Sequence, residues 1–369
     1  MARLAYLSLE TPREGQASYT KVGEVVAGLR ALGWAVDLHA SRGGGASSGT
    51  SLAGRVIEQL ALQIALARRV ASYDVLYVRS HFMAWPVTWF AHLCGVPVVH
   101  EINGTPRDVV ITYPALRMLS WLIQRSYRGQ YRRAAHLVAV TEGLAVWAKA
   151  FAGHDRVSMV SNGANTDIFN PAGPADAELA PFVVFVGGLV AWHGIGQMLF
   201  ALEDPAWPAS VRLVIVGDGV ERDQLVRKAG HPRLVYLGLR KQAEIAPLLR
   251  GAVSVLCVLD DPDRRSSTGV APLKLLEAMA CGAPVIVSDL PGQSDLVRRL
   301  DAGLVVPMGD AAALAAAVAE LAGDKARARA MGLNGAAHVQ AEASWRQQVS
   351  RLHSVLDQVA ASRLARDAP

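Results

Sequence analysis

Short runs of apolar, largely β-branched residues alternate with longer helix-like patterns, and this alternation constrains the fold of the chain more than any other feature. A first series of strand candidates lies at Leu4–Leu9, Ala35–Leu38, Val75–Val78, Val96–Glu101, Leu137–Thr141 and Val157–Val160. A second series lies at Phe182–Gly187, Arg212–Gly217, Leu234–Leu237, Val253–Val258, Pro284–Ser288 and Leu304–Val306. Continuous apolar runs separated by helices indicate parallel strands buried on both faces. Two such series predict an α/β protein with two doubly wound, Rossmann-like domains.

Helical patterns fill the intervals between the strand candidates. In the first series they are Tyr19–Leu32, Gly54–Ala71, Ala84–Leu93, Pro114–Ala135 and Gly143–Phe151. In the second series they include Gly194–Leu202, Glu221–Ala229, Lys241–Arg250, Leu273–Ala280 and Asp310–Leu321. The tail Ala341–Arg363 also has helical spacing, with an apolar stripe at Trp345, Val349, Leu352, Leu356 and Val359. The sequence leaves open whether this last helix crosses back to the first domain.

The loop-like stretch Asn170–Leu179 separates the two series. We predict an N-terminal domain over residues 1–170, a second domain over 171–340, and a C-terminal helix and tail over 341–369. Ligands bind doubly wound sheets at the carboxyl ends of their strands. A cleft between two facing domains of this kind is therefore the default ligand site.

Composition excludes several classes of protein. A hydrophobic fraction of 51% with a net charge of +5 excludes disorder for most of the chain. Cys94, Cys257 and Cys281 are far apart and form no C-x-x-C pair, so we expect reduced thiols. The sequence shows neither a signal-peptide pattern nor roughly 18 uninterrupted apolar residues. We therefore expect a soluble, cytoplasmic protein that can still contact the inner face of a membrane.

Positive charge is concentrated in the first half of the chain. Residues 1–170 contain 17 Lys and Arg against 11 Asp and Glu, whereas the remainder contains 20 against 21. This asymmetry fits either an acidic partner on that half or an ordinary solvated surface. The absence of a recognition motif or a matching basic stripe argues against nucleic acid as the partner.

The predicted helix Pro114–Ala135 carries much of that charge. Its basic and aromatic residues are interleaved, at Arg117, Trp121, Arg125, Tyr127, Arg128, Tyr131, Arg132 and Arg133. A helix of this composition can lie on an anionic bilayer as a peripheral contact. A solvated basic face with aromatics in the core is the alternative.

The segment Gly269–Gly292 has the strongest chemical pattern. A helix opening at Pro272 exposes backbone N–H groups that can bind an anion. Lys274 lies in the first turn, where a cation costs about 0.3–1 kcal/mol unless an anion is bound there. Glu277 lies one turn further, and its carboxylate can accept hydrogen bonds from the vicinal hydroxyls of a ribose. The alternative is a surface lysine and a glutamate at the edge of the core.

The string PLKLLEAMACGAPVIVSDLPG (272–292) resembles the nucleotide-sugar signature of retaining glycosyltransferases of family 4 (group 1), which have the GT-B fold. Three further segments resemble the same family in the same order, at Val160–Pro171, Phe185–Gly194 and Leu213–Gly219. The resemblance covers nearly the whole chain. It implies two Rossmann-like domains, a nucleoside-diphosphate sugar as donor substrate, and neither a metal nor another cofactor.

The resemblance also implies which residues hold the donor. In the second domain these are Gly187, Gly188, His193, Arg240, Pro272, Leu273, Lys274, Leu275 and Glu277. In the first domain, Gly15 and Gln16 match a loop that approaches the sugar diphosphate. The segment HEINGTPRD (100–108) places Asn103 where many relatives have a sugar-contacting histidine.

Three residues are the catalytic candidates, namely Glu101, Asn103 and Lys274. Glu101 and Asn103 are two positions apart, so in an extended segment they point the same way. Asn103 can bind sugar hydroxyls. Glu101 fits either a contact to acceptor or sugar, including help in proton transfer, or a structural pair with an arginine. His100 points the other way and is expected in the core.

The chain departs from the family pattern at three positions. Gly269 stands where relatives often have a first glutamate, and Gly188 and His193 stand where they have an Arg and a Lys that grip the diphosphate. Lys274 replaces part of this charge. The string Asp261-Pro262-Asp263 resembles a metal-binding D-x-D motif of other glycosyltransferases, but those have one nucleotide domain, so we expect a solvated loop.

The expected function is transfer of a hexose from a nucleoside-diphosphate sugar to an acceptor hydroxyl with retention of configuration. Cell-surface polysaccharide assembly is the expected setting, with a sugar, a lipid-linked group or a small molecule as acceptor. Three alternatives stay open: glycosylation of a small natural product, epimerisation of a nucleotide sugar on the same fold, and non-catalytic binding of nucleotide sugars.

Overall fold

The computed structural model describes residues 2–10, 17–41, 52–228, 230–261 and 265–367. The chain divides into two compact units. Among the described residues, the first unit consists of those within 2–10, 18–161 and 348–367, and the second of Ala17 and those within 162–347. Each unit contains a six-stranded parallel sheet. The two sheets confirm the predicted pair of Rossmann-like domains.

The first sheet has the strand order β2-β1-β3-β4-β5-β6. Its strands are β1 Arg3–Ser8, β2 Ala35–Ala40, β3 Val75–Arg79, β4 Val98–Ile102, β5 His136–Ala139 and β6 Val157–Met159. The helices of this series are α1 Ala17–Ala31, α2 Leu52–Ala67, α3 Trp85–Leu93, α4 Pro106–Thr112, α5 Ser120–Arg133 and α6 Glu142–Ala152. Short 3-10 helices lie at Val70–Ser72, Phe82–Ala84 and Pro114–Leu119.

The second sheet has the strand order β12-β11-β10-β7-β8-β9. Its strands are β7 Phe182–Val186, β8 Arg212–Val216, β9 Leu234–Gly238, β10 Ser254–Cys257, β11 Val285–Ser288 and β12 Gly303–Val306. The helices of this series are α7 Ile195–Glu203, α8 Arg222–Arg227, α9 Gln242–Gly251, α10 Leu273–Ala280, α11 Gln293–Leu300, α12 Ala311–Gly323 and α13 Lys325–His338. Short 3-10 helices lie at Ala191–His193 and Arg265–Thr268, and a π-helical turn at Val339–Ala343 precedes α14 Trp345–Asp367.

The central strands form the core of each unit because their side chains are buried on both faces. Val183, Val184 and Phe185 of β7 are fully buried, as are Val255 and Leu256 of β10. β7 and β10 are adjacent, although the chain leaves β7 toward β8 and β9 and leaves β10 toward β11 and β12. This reversal of strand order is the topological switch point, where doubly wound sheets bind ligands.

Three helices were absent from the sequence-based prediction. α4 begins after Thr105, whose backbone N–H donates to the Asp108 carboxylate at 2.6 Å, and has Pro106 in its first turn. α11 and α13 follow β11 and β12. The predicted helix Pro114–Ala135 is in fact two elements, the 3-10 helix Pro114–Leu119 and α5.

The last helix, α14, contributes to both units. Its residues from Gln348 onward belong to the first unit. The predicted stripe is buried at Trp345, Val349, Leu352 and Leu356. Gly28 of α1 lies so close to Val349 that a Cβ added at Gly28 would be 2.8 Å from a Val349 methyl group. The tail helix is therefore part of the packing of the first unit.

Candidate functional site

The loops after β7 and β10 bring together the candidate donor-binding residues of the second unit. Gly187 and Gly188 directly follow β7, and the segment after β10 leads into α10. We call the group formed by Phe185, Gly187, Gly188, His193, Lys274 and Glu277 the Lys274 site. It lies at the switch point of the second sheet.

Lys274 is a cation enclosed by apolar and backbone groups. Its Nζ lies 4.1 Å from the ring centroid of Phe185. A Cβ added at Gly187 would lie 3.2 Å from the same Nζ, so the ammonium rests against that glycine. Nζ is buried, and among the described residues it has no hydrogen-bond partner. Burial lowers the pKa of Lys274 to about 8, because the charged form loses its water. A buried, unbonded ammonium is costly unless an anion binds it.

Glu277 and Lys274 are placed by the apolar face of α10. Leu275, Leu276 and Met279 form the buried face of α10. Lys274 and Glu277 are only partly buried, and because they are three residues apart they lie on the same side of the helix. The negative charge of Glu277 acts to raise the pKa of Lys274, although less strongly than burial lowers it. The helix thus presents a cation and a carboxylate within one turn.

On α10 the structure corrects only where the helix begins, and the donor-binding role predicted for Pro272, Leu273 and Leu275 stays a prediction. The helix begins at Leu273, and Pro272 is its N-cap with extended backbone, so Pro272 is not the first helical residue. Leu273 and Leu275 are buried in the core, and the N–H of Leu275 donates to the carbonyl of Pro272 at 3.2 Å. Their side chains therefore serve packing, and the N–H groups of the first turn are what this end offers to an anion.

His193 is held against the loop after β7. Its Nδ1 donates to the carbonyl oxygen of Gly188 at 2.5 Å. Burial and the neighbouring Lys274 lower the pKa of His193 to about 3, so the imidazole is neutral at physiological pH. His193 therefore does not supply the positive charge of the lysine that relatives have at this position.

Gly269, which stands where relatives often have a first glutamate, has a backbone conformation that favours glycine. Gly269 has φ +88°, a conformation that strains any residue with a Cβ. Gly292 approaches this turn so closely that its added Cβ would lie 2.7 Å from the carbonyl oxygen of Val270. The backbone at this point is therefore built for glycine.

Arg240 comes from a different part of the second sheet than Lys274. It follows the edge strand β9, whereas Lys274 lies on the helix after β10. Its guanidinium is exposed, donates to the carbonyl of Leu239, and lies 3.9 Å from a carboxylate oxygen of Glu244.

The loop after β8 fixes the backbone of the Lys274 site. Gly187 N donates to the Val216 carbonyl at 3.0 Å, and Leu189 N donates to the Asp218 carbonyl at 2.9 Å. Gly217 has φ +139°, and a Cβ there would lie 1.9 Å from the Gly187 carbonyl oxygen. Only glycine at position 217 allows the two loops to approach so closely.

Substituting Gly217 by alanine is expected to displace Gly187 and weaken nucleotide binding by about tenfold or more, because the added methyl overlaps backbone. Gly196→Ala is the matched control, since nothing lies within 4 Å of its added Cβ. Isothermal titration with nucleoside diphosphates measures both. Equal affinities for the two variants would show that the Gly187 backbone is not part of the site.

Glu101 of the first unit is a buried centre of hydrogen bonds. Tyr6 and Tyr77 each donate a hydroxyl to Oε2 at 3.0 Å. Arg79 donates to Oε1 at 2.9 Å, and the Lys21 ammonium lies 3.1 Å from the same oxygen. Together with Asn103, these charges and donors lower the pKa of Glu101 to about 2 despite complete burial. The geometry fits a structural pair with an arginine, so we do not assign proton transfer to Glu101.

Asn103 is the exposed member of this group, at the carboxyl end of β4. Its amide donates to Glu101 at 2.6 Å and its carbonyl accepts from Lys21 at 3.0 Å. His100, by contrast, is buried against Tyr131 with a ring separation of 5.5 Å, as expected. Gly15 and Gln16 lie outside the described residues, so their predicted role stays a prediction.

Asp261 is not solvated, contrary to the expectation for the D-x-D string. Its carboxylate is buried and accepts hydrogen bonds from the backbone N and the hydroxyl of Ser266. Asp263 lies outside the described residues. Over the described ranges, no group of three or more His, Cys, Asp or Glu side chains is placed to hold a metal ion.

Two sets of neighbours were missed by sequence reasoning. Phe185, which packs against Lys274, lies in the predicted strand Phe182–Gly187, and the sequence indicated a strand position for it but no contact with a ligand-binding residue. Nothing in the sequence indicated that Lys21, Tyr6 and Tyr77 contact Glu101, because these residues lie on separate elements, namely α1, β1 and β3.

Comparisons with known proteins match both halves of the chain. Residues 20–168 match the domain described as Glycosyltransferase Family 4, and residues 180–324 match the domain described as Glycosyl transferases group 1. A phosphatidyl-myo-inositol mannosyltransferase of Mycobacterium leprae is 32% identical over 265 residues, which is 70% of this chain and 66% of that protein. A GDP-mannose-dependent monoacylated alpha-(1-6)-phosphatidylinositol monomannoside mannosyltransferase of Corynebacterium glutamicum is 29% identical over 222 residues, 56% of this chain and 58% of that protein.

Solved structures agree over nearly the whole length. Sucrose-phosphate synthase from Thermosynechococcus elongatus superposes with a TM-score of 0.79 at 20% identity, covering 98% of this chain and all of that one. Anabaena HepE in complex with UDP gives 0.74 at 17% identity, covering 97% and 100%. The chain spans about half to two thirds of the length of the curated relatives that it matches. The chain therefore carries a glycosyltransferase family 4 domain followed by a glycosyltransferase group 1 domain, and its fold is GT-B.

Proposed function

We propose that the chain is a retaining glycosyltransferase that moves a hexose from a nucleoside-diphosphate sugar to an acceptor hydroxyl. The observation that carries this proposal is the Lys274 ammonium, buried without a hydrogen-bond partner at the switch point of the second sheet. A diphosphate supplies the negative charge that such a site lacks. Two relatives support a nucleotide ligand, since Anabaena HepE was solved with UDP and the C. glutamicum relative is described as GDP-mannose-dependent.

The Lys274 site accounts for the donor side of the reaction. The bond between the anomeric carbon and the diphosphate oxygen breaks, so negative charge grows on the leaving group. Lys274 and the N–H groups at the start of α10 are aimed at this charge, and such preorganised groups lower the barrier. Glu277, one turn along α10, holds the ribose hydroxyls.

Retention of configuration follows in this proposal from attack on the face that the diphosphate leaves. The acceptor oxygen bonds to the anomeric carbon, and a diphosphate oxygen takes its proton. Asn103, exposed at the end of β4, contacts sugar hydroxyls. No metal takes part, and the place of action is the cytoplasm or the inner face of the membrane. The phosphatidylinositol mannosyltransferases among the relatives support a cell-surface glycan or lipid-linked acceptor.

A thermal-shift panel tests the donor assignment directly. A ligand that binds only the folded state increases the free energy of unfolding, by about 2.7 kcal/mol at a hundred times its Kd. The melting temperature rises as a result. UDP-, GDP-, ADP- and dTDP-sugars are compared on the full chain, and we expect the sugars of one base to raise the melting temperature most. If none of them changes the melting temperature, the proposal that the chain binds a nucleotide sugar is wrong. The anomeric configuration of the product, read by NMR, tests retention separately.

Substituting Glu277 by alanine should cut sugar transfer about a hundredfold with the fold intact, because a carboxylate that accepts two ribose hydroxyls is lost. Circular dichroism checks the fold, and the rate of nucleoside-diphosphate release measures transfer. Glu320→Ala is the matched control, since Glu320 is an exposed glutamate on α12 that pairs with Arg327 at the surface. Wild-type transfer by Glu277→Ala would rule out the ribose role.

The epimerase alternative is separated by its dependence on acceptor. A transferase releases free nucleoside diphosphate only when an acceptor is present, whereas an epimerase changes the sugar and releases none. Binding without either reaction, across a broad set of acceptors, would favour a non-catalytic binding protein.

A further inference from the structure

Helices α3 and α5 and the 3-10 helix before α5 share an exposed surface of large apolar side chains. On α3, Trp85 is 47% exposed and Leu93 is 65% exposed. On the other elements, Met118 is 89% exposed and Trp121 is 64% exposed. We call this surface, with its arginines, the aromatic–arginine face; its further members are Trp89, Phe90, Leu119, Leu122, Arg117, Arg125, Arg128, Arg132 and Arg133.

The two helices form one continuous surface. The guanidinium of Arg133 on α5 lies 4.5 Å from the ring centroid of Trp89 on α3. Trp89 in turn stacks near Trp85, with ring centroids 6.4 Å apart. The opposite side of α5 is anchored in the core by Ile123, Tyr127 and Tyr131. The exposed residues are therefore a second, outward face of a well-packed helix.

The charge on this surface has a single sign. The stretches 85–93 and 114–133 contain five arginines and no Asp or Glu. Around the stretch 85–93, the nearest carboxylates along the chain are Asp74, which accepts a hydrogen bond from Arg3 N, and the buried Glu101. Around 114–133 they are Asp108, which accepts from Thr105 N, and Glu142 in the first turn of α6. Apolar residues come first along this part of the chain, with Met118 on the 3-10 helix and Trp121 and Leu122 at the start of α5. The arginines of α5 follow at Arg125, Arg128, Arg132 and Arg133.

We propose that the aromatic–arginine face docks on a lipid bilayer that carries anionic headgroups. Tryptophan rings favour the boundary between headgroups and acyl chains, and arginines pair with the phosphates and acidic groups above it. A second copy of this chain is a poorer occupant, because a symmetric pair would bring five arginines against five arginines. Over the described residues no helix combines the length and hydropathy needed to cross a membrane, so the contact is with the surface.

Vesicle flotation with the full chain tests the proposal. Vesicles of phosphatidylcholine alone are compared with vesicles in which about a third of the lipid is phosphatidylglycerol. The wild type should float with the anionic vesicles, and high salt should weaken this binding because charge drives the approach.

Two double variants separate the apolar and the electrostatic contributions. Met118→Gln with Trp121→Gln should reduce binding about tenfold, through lost burial of apolar surface. Arg125→Gln with Arg132→Gln should reduce it roughly fivefold for each arginine. The matched controls lie on the second unit, with Phe200→Gln and Leu333→Gln for the apolar pair and Arg299→Gln and Arg329→Gln for the basic pair. Both controls should bind as the wild type does.

Three outcomes would overturn the proposal. The first is that the wild type does not float with anionic vesicles, and the second is that the two double variants of the aromatic–arginine face bind as well as their controls do. The third is that light scattering shows a wild-type dimer that Trp121→Gln dissociates, which would assign the face to a second copy of the chain. All substituted side chains are exposed, so unchanged melting temperatures are expected and keep each result interpretable.

Discussion

Replacing Lys274 by methionine is expected to lower the affinity for the donor nucleotide about a hundredfold. Methionine keeps the apolar stem against Phe185 and removes only the charge. Removing one side of a buried, charge-assisted contact costs about 2–5 kcal/mol, which is thirtyfold or more in affinity. Isothermal titration with the nucleoside diphosphate found in the thermal-shift panel measures the loss. Lys228→Met is the control, because Lys228 is a surface lysine paired with Glu203.

The same lysine predicts how donor affinity depends on pH. The pKa of Lys274 in the free protein is about 8, so the ammonium form that binds a diphosphate prevails below that pH. A bound anion raises this pKa, so affinity should change little between about pH 7 and pH 8 and fall up to about tenfold per pH unit above pH 8. Below about pH 7 the terminal phosphate of the ligand, with a pKa of about 6, gains a proton and weakens binding on its own account. Lys274→Arg stays charged and should flatten the profile. An unchanged profile in Lys274→Arg would mean that another group titrates.

Glu101→Ala is expected to destabilise the first unit by about 3–5 kcal/mol, since it leaves Lys21 and Arg79 buried without their carboxylate. Glu101→Gln keeps the shape and should recover part of this loss. Asp289→Asn is the matched control, because Asp289 makes a two-pronged ion pair with Arg298 at the surface, where solvent screens it. Chemical denaturation gives the free energy of unfolding for each variant.

The depressed pKa of Glu101 also fixes the sign of its pH dependence. The carboxyl has a pKa of about 2 in the folded chain against 4.5 ordinarily, so its contribution to stability is complete above pH 4.5 and is lost as the pH falls toward 2. In Glu101→Gln this acid-labile part should disappear. A catalytic role would instead show as lost transfer with unchanged stability.

Sequence periodicity predicted the two sheets and the position of α10, because strands buried on both faces leave continuous apolar runs. α13 was missed since its sequence KARARAMGLNGAAH has no apolar stripe, and small residues let it pack closely instead. Gly332 shows this, because an added Cβ would lie 1.9 Å from the Gly282 carbonyl oxygen. Such close backbone packing has no signal in hydrophobic periodicity.

The environment of each candidate residue was harder to predict than its position. Lys274 and Glu277 are neighbours on one helix, so their spacing in the sequence already places them together. Glu101 depends on Tyr6, Lys21 and Tyr77, which reach it only after β1, β3 and α1 have assembled. A buried ion network of this kind is a property of the tertiary structure, and the sequence left its role as one of two alternatives.

The path of α14 has a consequence for engineering by recombination. The first unit is assembled from two separated stretches of sequence, because residues from Gln348 onward complete it. Gln348 accepts a hydrogen bond from Ser161 N at 3.1 Å, and Val349 packs at Gly28. A chimaera that exchanges the first unit with a relative must therefore bring both stretches from the same parent. A single crossover after Ser161 would pair α1 of one parent with the final helix of the other.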